Sequence, residues 1–314
     1  MARYVKVASV PLRIPDFSSK ATDQHLSDFM VEIIRAQIEE VLPDQPDLII
    51  LPEVCDRPTG MSQEAVRAFY DARGDRTVQG LAQIARENHC YIAAGVVRDA
   101  EDGTRYNSCV MIDRQGNVMG YYDKNYVVPW ETPVYGIMPG KDITVFDCDF
   151  GRVGAVICFD LNFEELRTKY REANCDLIVF PSHFDGGLLR NIFAHETGAY
   201  FVSCYAGSYS RSAAFDPLGY PVVASSNYYR SIVTTLNLDY KICHLDENRG
   251  KFAAAKKKYG SEVKIHDNGF IGTIILSSES SARTSDDLIQ EFGIELREDY
   301  YARARAHREK YLNG

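Results

Sequence analysis

Residues 47–54 read DLIILPEV and residues 176–183 read DLIVFPSH. Each is an aspartate, four apolar residues, a proline and a polar residue. Runs this short and this continuously apolar fit strands buried on both faces, the habit of parallel strands inside an α/β fold. Each also follows a helical segment, so the pair points to two similar α/β halves packed into one domain.

The pattern extends outward from both runs. Residues 4–10 read as an opening strand, and 28–41 as an amphipathic helix with Phe29, Ile33, Ile34, Ile38 and Val41 at helical spacing. Helices near 62–73 and 76–88 lead to a strand at 91–97. Two hairpins then interrupt the alternation, one at 107–124 turning at Gln115-Gly116-Asn117, the other at 143–158 turning near Asp149-Phe150-Gly151. Around the second run come a helix at 163–173, a helix near 189–199 and a strand at 201–206. A hairpin at 210–226 and strands near 232–239 and 269–276 complete the scheme. No Pro/Ser-rich linker divides the chain, which gives one domain over 1–280. Residues 281–314 form a charged C-terminal helical extension, suited to packing or to oligomer contact.

Composition narrows the function. The 314 residues carry 35 Lys+Arg against 44 Asp+Glu, a formal charge of −9. A broad surface for nucleic acid or anionic membrane would work against that field, whereas a small neutral partner would not. No apolar run approaches the ~18–20 residues needed to cross a bilayer, and residues 1–17 lack the unbroken apolar core of a secretory signal. The eight cysteines show no CxxC pair, so neither a disulfide framework nor a zinc site is suggested. Reduced thiols in a cytoplasmic protein are expected. His195-Glu196 is not an HExxH motif, because Ala199 stands where the second histidine would be, and no Walker-type or GxGxxG loop is present. No metal and no organic cofactor are expected.

Three ionisable residues stand at the ends of apolar strands or in the loops after them, where side chains can be aimed into a cleft. Glu53 closes a run too apolar to welcome an unpaired carboxylate, so it needs a partner or a job. Cys158 ends RVGAVIC and precedes FDLNFEEL, where Asn162 can act as N-cap and Glu165 can close a capping box. A thiol just ahead of a helix N-terminus is favoured as thiolate and sits beside N–H groups able to receive an oxyanion. A lone cysteine at a strand end is more often a small buried hydrophobe. Lys124 ends a hairpin and opens the irregular loop KNYVVPWETPVYGIMPGKD.

Taken together, LPE at 51–53, YDKNY at 122–126 and GAVICFD at 154–160 with Glu165 beyond resemble the three motif blocks of the nitrilase, or carbon–nitrogen hydrolase, superfamily. The order Glu, Lys, Cys fits, as do gaps of 71 and 34 residues. PG at 139–140, AHETGAYFVSC at 194–204 and DPLG at 216–219 extend the likeness over most of 1–280. The resemblance implies an α-β-β-α sandwich, oligomeric as a dimer or higher, with an acyl-enzyme mechanism. It implies Cys158 as nucleophile, Glu53 as proton carrier, Lys124 at the oxyanion and Glu131 as a second glutamate orienting the lysine. Tyr135 is the competing position for that second glutamate's place.

Trp130, Phe159, Asn162 and His183 are the candidate substrate-binding residues. Trp130 is the only tryptophan and stands in the loop after Lys124, and His183 ends the strand that parallels the LPE strand. Asp160 replaces the glutamate of nitrile-cleaving relatives. The block CFDLNFEE is nearest to the amidase branches, which makes a small amide, giving carboxylic acid and ammonia, the expected substrate. Hydrolysis of an N-carbamoyl amine or amino acid is the alternative, and its discriminator is an arginine such as Arg57 or Arg190 in the pocket. A nitrilase and a non-catalytic scaffold stand further off.

Overall fold

The computed structural model describes residues 1–18, 24–207 and 211–312; position 210 of the expected hairpin and residues 313–314 of the extension lie outside them. The chain forms two compact units, residues 6–235 and residues 1–5 with 236–314. The boundary near 280 drawn from sequence falls inside the second of these.

The larger unit is built on two six-stranded sheets. The first uses β1 (Tyr4–Ser9), β2 (Leu48–Ile50), β3 (Tyr91–Asp99), β4 (Arg105–Ile112) and β5 (Val118–Asp123), interleaved with α1 (Gln24–Ile38), α2 (Gln63–Arg73) and α3 (Arg76–Asn88). A short α4 (Glu131–Tyr135) follows. The second sheet uses β6 (Val145–Cys148), β7 (Gly151–Ala155), β8 (Leu177–Ser182), β9 (Tyr200–Tyr205), β10 (Ala213–Phe215) and β11 (Pro221–Ala224), with α5 (Glu164–Ala173) and α6 (Leu188–Thr197). The strand β12 (Ile232–Asn237) returns to the first sheet, whose order is β12-β1-β2-β3-β4-β5; the second runs β11-β10-β9-β8-β7-β6.

The two apolar runs explain this arrangement. β2 pairs parallel with β1 and β3, and β8 pairs parallel with β7 and β9, so each run is the middle strand of a parallel trio. Leu48, Ile49, Ile50 and Leu177, Ile178, Val179, Phe180 are all fully buried, as strands covered on both faces must be. Antiparallel hairpins, β4–β5 and β10–β11, extend each trio at one side. The halves therefore match strand for strand, and each half has its own core of helix and sheet residues. Ile34, Ile38, Leu81 and Ile84 pack with Ile49 and Ile92, while Tyr170, Phe193 and Leu166 pack with Ile178, Phe180 and Phe201. The sheets meet at their inner faces, where Ser9 Oγ donates to Ser203 O at 3.0 Å. This is the α-β-β-α sandwich expected from the sequence.

Local departures have local causes. The first helix begins at Gln24 and stops at Ile38 rather than Val41, because Pro43 cannot continue it and a 3₁₀ turn at Leu42–Asp44 takes over. The strand expected over 47–54 is regular only at Leu48–Ile50, although Leu51 N still reaches Ala93 O at 2.9 Å; the matching proline of the second run, Pro181, stays inside β8 opposite Cys204.

The smaller unit holds β13 (Tyr240–His244), α7 (Arg249–Tyr259), β14 (Val263–His266), β15 (Thr273–Ser278), α8 (Ser285–Phe292) and α9 (Arg297–Leu312). Its antiparallel sheet has the order β13-β15-β14 over a core of Cys243, Phe252, Val263, Ile274, Leu276 and Leu288. β13, α7 and β14 were not visible in the sequence pattern. RGKFAAAKKKY buries only Phe252 and Ala255, too little apolar periodicity to announce a helix. Thr284 and Asp287 cap α8 reciprocally at 3.0 and 2.7 Å, and residues 301–312 of α9 are exposed.

No helix among the described residues is long and apolar enough to cross a membrane. One glycine sets the approach of two elements on which the site depends. A Cβ at Gly95 of β3 would stand 2.5 Å from Glu53 Cα and 2.7 Å from Pro52 O, both backbone atoms that cannot swing aside. Gly95→Ala is expected to destabilise the fold by about 1–3 kcal/mol and to displace Glu53; chemical denaturation followed by a crystal structure of the variant checks both.

Candidate active site

Four segments converge at the carboxyl ends of the parallel strands, the usual place for ligands in such sheets. Glu53 leaves β2, Lys124 follows β5, the Cys158 turn follows β7, and Ser182 and His183 close β8 and open the loop beyond. Backbone bonds fix each segment. Cys55 N donates to Gly95 O at 2.7 Å, Lys124 N to Asn107 O at 2.8 Å, Gly140 N to Lys124 O at 2.8 Å and Val156 N to Val179 O at 3.1 Å. Val54 and Cys158 are both held at positive φ, +42° and +47°, where non-glycine residues are uncommon and a β-branched one is strained.

The side chains form one buried network. Lys124 Nζ lies 2.9 Å from Glu53 Oε1 and 2.8 Å from Glu131 Oε2. Asn107 Nδ2 donates to the same two carboxylates, at 2.8 Å to Glu53 and 3.2 Å to Glu131. His183 N donates to Glu53 Oε2 at 3.1 Å, and Val128 N to Glu131 Oε2 at 2.7 Å. Glu53, Lys124 and Glu131 are each at most 4% exposed, so none of these charges can rely on water.

Cys158 stands beside the group, where Glu53, Lys124 and Ser182 act on its thiol. Glu53, Lys124, Glu131 and Cys158, picked from sequence, are thus brought together, and Glu131 rather than Tyr135 meets the lysine. Tyr135 packs instead against Trp130 and Tyr70.

Burial opposes ionisation of Glu53, but the charges of Lys124 and His183 and the hydrogen bonds from Lys124 and Asn107 outweigh it, holding its carboxyl at about 2. Lys124 is raised above the ordinary lysine value, its burial outweighed by Glu53 and Glu131. For Cys158 the balance runs the other way. Burial, then the Glu53 charge, push the thiol up to about 12 against the opposing influence of Lys124.

That overturns the expectation of a thiolate favoured by a helix end. Cys158 opens a five-residue 3₁₀ turn, Cys158–Asn162, and α5 begins only at Glu164 with Phe163 as its N-cap. Asn162 caps nothing there; its Nδ2 donates to Phe159 O at 2.9 Å, and the residue is exposed. The turn is held by Asp160 instead. Its fully buried carboxylate accepts Ile157 N at 3.0 Å, Tyr126 N at 2.8 Å and Tyr122 OH at 2.8 Å, tying the loop after Lys124 to the nucleophile turn. Burial nevertheless pushes Asp160 up to about 7.

A cavity of about 480 Å³ opens beside this network, lined by Glu53, His183, Leu12, Arg13, Arg57 and Arg230 among others. Of the expected substrate-binding residues, His183 lines it, and burial lowers its imidazole below the ordinary value. Trp130, Phe159 and Asn162 do not line it. Trp130 is half-exposed, and Phe159 packs edge-on against Phe163, which stacks on Tyr126. Arg57 stands in the cavity wall, whereas Arg190 is occupied by Asp185 at 2.9 Å and Arg211 O at 2.7 Å. Asn107, Ser182, Arg13 and Arg230 escaped the sequence reading. None of the four stands out by residue pattern; Asn107 lies in the strand RYNSCVMI, whose first half is mixed and polar. Among the described residues no group of three or more His, Cys, Asp or Glu is arranged to hold a metal ion.

The chain resembles known proteins in both sequence and structure. It is 24% identical over 225 residues to a hydrolase of Schizosaccharomyces pombe, spanning 65% of this chain and 70% of that one. It is 26% identical over 155 residues to the omega-amidase NIT2 of Homo sapiens, spanning 47% of this chain and only 55% of the relative's length. Nit3 of Saccharomyces cerevisiae, a member of branch 10 of the nitrilase superfamily, superposes with a TM-score of 0.64 over 75% of this chain and 90% of its own, at 21% identity. The family model for carbon–nitrogen hydrolases matches residues 6–240, the whole two-sheet unit with every segment of the network. The chain belongs to the carbon–nitrogen hydrolase family, within the nitrilase superfamily.

Proposed function

We propose that the protein hydrolyses a small-molecule amide through a thioester on Cys158, releasing ammonia and then a carboxylic acid. The observation that carries this reading is the buried Glu53–Lys124–Glu131 network, with Lys124 Nζ 2.9 Å from Glu53 and 2.8 Å from Glu131, set beside the thiol of Cys158. A thiol with a high pKa is a poor nucleophile until a base removes its proton at the moment of attack. Glu53, ionised at neutral pH, is that base. It passes the proton to the departing nitrogen and then activates the hydrolytic water. Lys124 and the backbone N–H after Cys158 bear on the oxyanion, and Glu131 fixes the lysine. The name of the human relative, an omega-amidase, agrees with amide chemistry. Arg57 in the cavity wall is the feature the ureide alternative calls for, so N-carbamoyl substrates belong in the same assay.

Time-resolved mass measurement with a panel of amides, ureides and nitriles tests the reading. The expected result is an acyl adduct on Cys158 from amides that is absent in Cys158→Ala; an adduct from nitriles or ureides alone would overturn it.

The electrostatics yield a pH signature. With the thiol protonated and Glu53 ionised, kcat/KM should show no thiolate limb between about pH 6 and 9. Glu53→Gln removes a charge that raises the thiol, so thiolate absorbance should appear at lower pH in that variant. For stability the sign is that of a depressed carboxylate: the Glu53 contribution is complete above its ordinary value of 4.5 and is lost as pH falls toward about 2. Acid titration of Glu53→Gln against the parent chain checks it.

Lys124→Ala should reduce turnover by ~10²–10³. It should also destabilise the fold by about 3–5 kcal/mol, because two carboxylates are left facing each other out of water. Glu131→Gln keeps the hydrogen-bonding shape and one fewer charge, so it should fold and still lose activity. Steady-state kinetics beside thermal melts separates the two effects.

A further inference from the structure

The buried side of α2 consists of Val66, Phe69, Tyr70 and Arg73. That is the spacing of one apolar stripe, yet its last place is an arginine. Arg73 is 3% exposed, and its partner Asp56 is fully buried. One terminal nitrogen of Arg73 donates to Asp56 Oδ2 and the other to Val97 O of β3, while Thr77 Oγ1 of α3 donates to the same Asp56 oxygen at 2.8 Å. The pair therefore joins α2, α3 and β3 to the turn after β2. Asp56 Oδ1 and Arg73 Nε are also buried, and among the described residues they have no hydrogen-bond partner. A buried ion pair recovers its lost hydration only when the remaining polar atoms are satisfied, so this one is a poor source of stability.

The segment it grips is the one that carries Glu53 away from β2. Arg57 N donates to Val54 O at 2.9 Å, closing a tight turn with Val54 at φ +42°. A β-branched residue persists at positive φ only where its surroundings over-determine it. Three successive residues of the turn are tied down. Cys55 N donates to Gly95 O at 2.7 Å, Asp56 is held by Arg73 and Thr77, and Arg57 Nε donates to the hydroxyl of Tyr70 at 3.0 Å. The Arg73 guanidinium lies 5.3 Å from the centroid of the Tyr70 ring, so one turn of α2 grips both Asp56 and Arg57. Glu53 meanwhile has to meet Lys124 Nζ at 2.9 Å, Asn107 Nδ2 at 2.8 Å and His183 N at 3.1 Å, which leaves its backbone little room to rotate.

We infer that the Asp56–Arg73 pair is a latch that holds the strained turn behind Glu53 and so fixes where the Glu53 carboxylate stands relative to Lys124 and the thiol. Both are positioning residues, and the inference rests on Glu53 as the base of the reaction proposed above. Neither residue lines the cavity, so loss of the latch acts on turnover rather than on substrate binding. Misplacing a reacting group by about 1 Å costs on the order of 10² in rate.

Asp56→Asn or Arg73→Gln alone leaves one buried charge unpaired and should lower stability sharply. The deciding variant is the double, Asp56→Asn with Arg73→Gln, which leaves two neutral amides able to bond each other and Thr77. Its melting temperature, its kcat and KM on an amide turned over by the parent chain, and the pH midpoint for alkylation of Cys158 by iodoacetamide, followed by mass, are measured together. The expected result is a folded protein whose kcat falls roughly 10- to 100-fold while KM changes less than about threefold. Because Glu53 is among the groups that push the thiol up, the alkylation midpoint should also move down, toward that of Glu53→Gln. A parental midpoint in the folded double variant overturns the latch, whatever happens to turnover. Should the double variant fail to fold, Arg73→Lys decides by the same two measurements, since it keeps the charge against Asp56 and gives up the fork to Val97 O; parental kcat and midpoint there overturn the latch. If the parent chain turns over no amide while the midpoint still falls, the latch stands and the hydrolase reading falls.

Discussion

A lysine ammonium enclosed by two glutamates, all three out of contact with water, sets the terms for the rest of the site. Taking a charge into the interior costs several kcal/mol unless partners replace its hydration. Lys124 therefore requires Glu53 and Glu131, and they require it. The three come from the end of a parallel strand, the end of a hairpin and the first turn of a short helix. Asn107, from the first strand of that hairpin, bridges the two carboxylates. Satisfying the set forces those segments to within hydrogen-bonding distance of one another. Gly95 and Gly140 serve that demand, because a side chain at either would meet the backbone carrying Glu53 or the residue before Lys124.

The same cluster decides the state of the thiol. Burial first, and then the charge of Glu53, push the Cys158 thiol up against the opposing charge of Lys124. In the proposed reaction the proton therefore stays on sulfur until a carbonyl arrives, and the base acts in the same step as the attack. The geometry of that attack is set elsewhere. Asp160 ties down the turn from Ile157, and the positive φ of Cys158 holds the thiol at a bend that ordinary strand or helix geometry would not give.

The fold was legible because its signals are periodic and local: four-residue apolar runs, a helix with Ile33, Ile34 and Ile38 on one side, turns at Gln115-Gly116-Asn117 and at Asp216-Pro217-Leu218-Gly219. The network residues were legible for a different reason, since charged groups at the ends of apolar strands ask for partners. What stayed hidden depends on where distant segments meet. Arg13 and Arg230 are unremarkable loop arginines until the chain closes a cavity between them. Ser182 reads as the polar end of a strand. The expectation of a helix dipole on Cys158 failed because a 3₁₀ turn, which no residue pattern in FDLNFEEL announces, separates the thiol from α5. The segment 240–266 was missed since its helix is lysine-rich and buries only two side chains.

The internal duplication gives the site its logic. DLIILPE and DLIVFPS occupy the centres of the two parallel trios, so Glu53 and Ser182 are the same position in the two halves, each one residue beyond the proline. Both act on the thiol of Cys158. The registers carry the comparison further, because Val7 pairs with Leu48 as Val153 pairs with Leu177. By that count Cys158 corresponds to Leu12, which lines the cavity. Face-to-face packing of two copies of one half brings both sets of strand ends together, with Glu53 and Leu12 on the cavity wall. Only one of each pair then needs to be reactive. In the proposed reaction the base comes from the first half and the nucleophile from the second, and their counterparts are a hydroxyl, Ser182, and an apolar residue, Leu12. Placing acid–base and nucleophilic groups on different halves also explains why neither half carries a complete site: the reacting pair exists only where the two sheets meet.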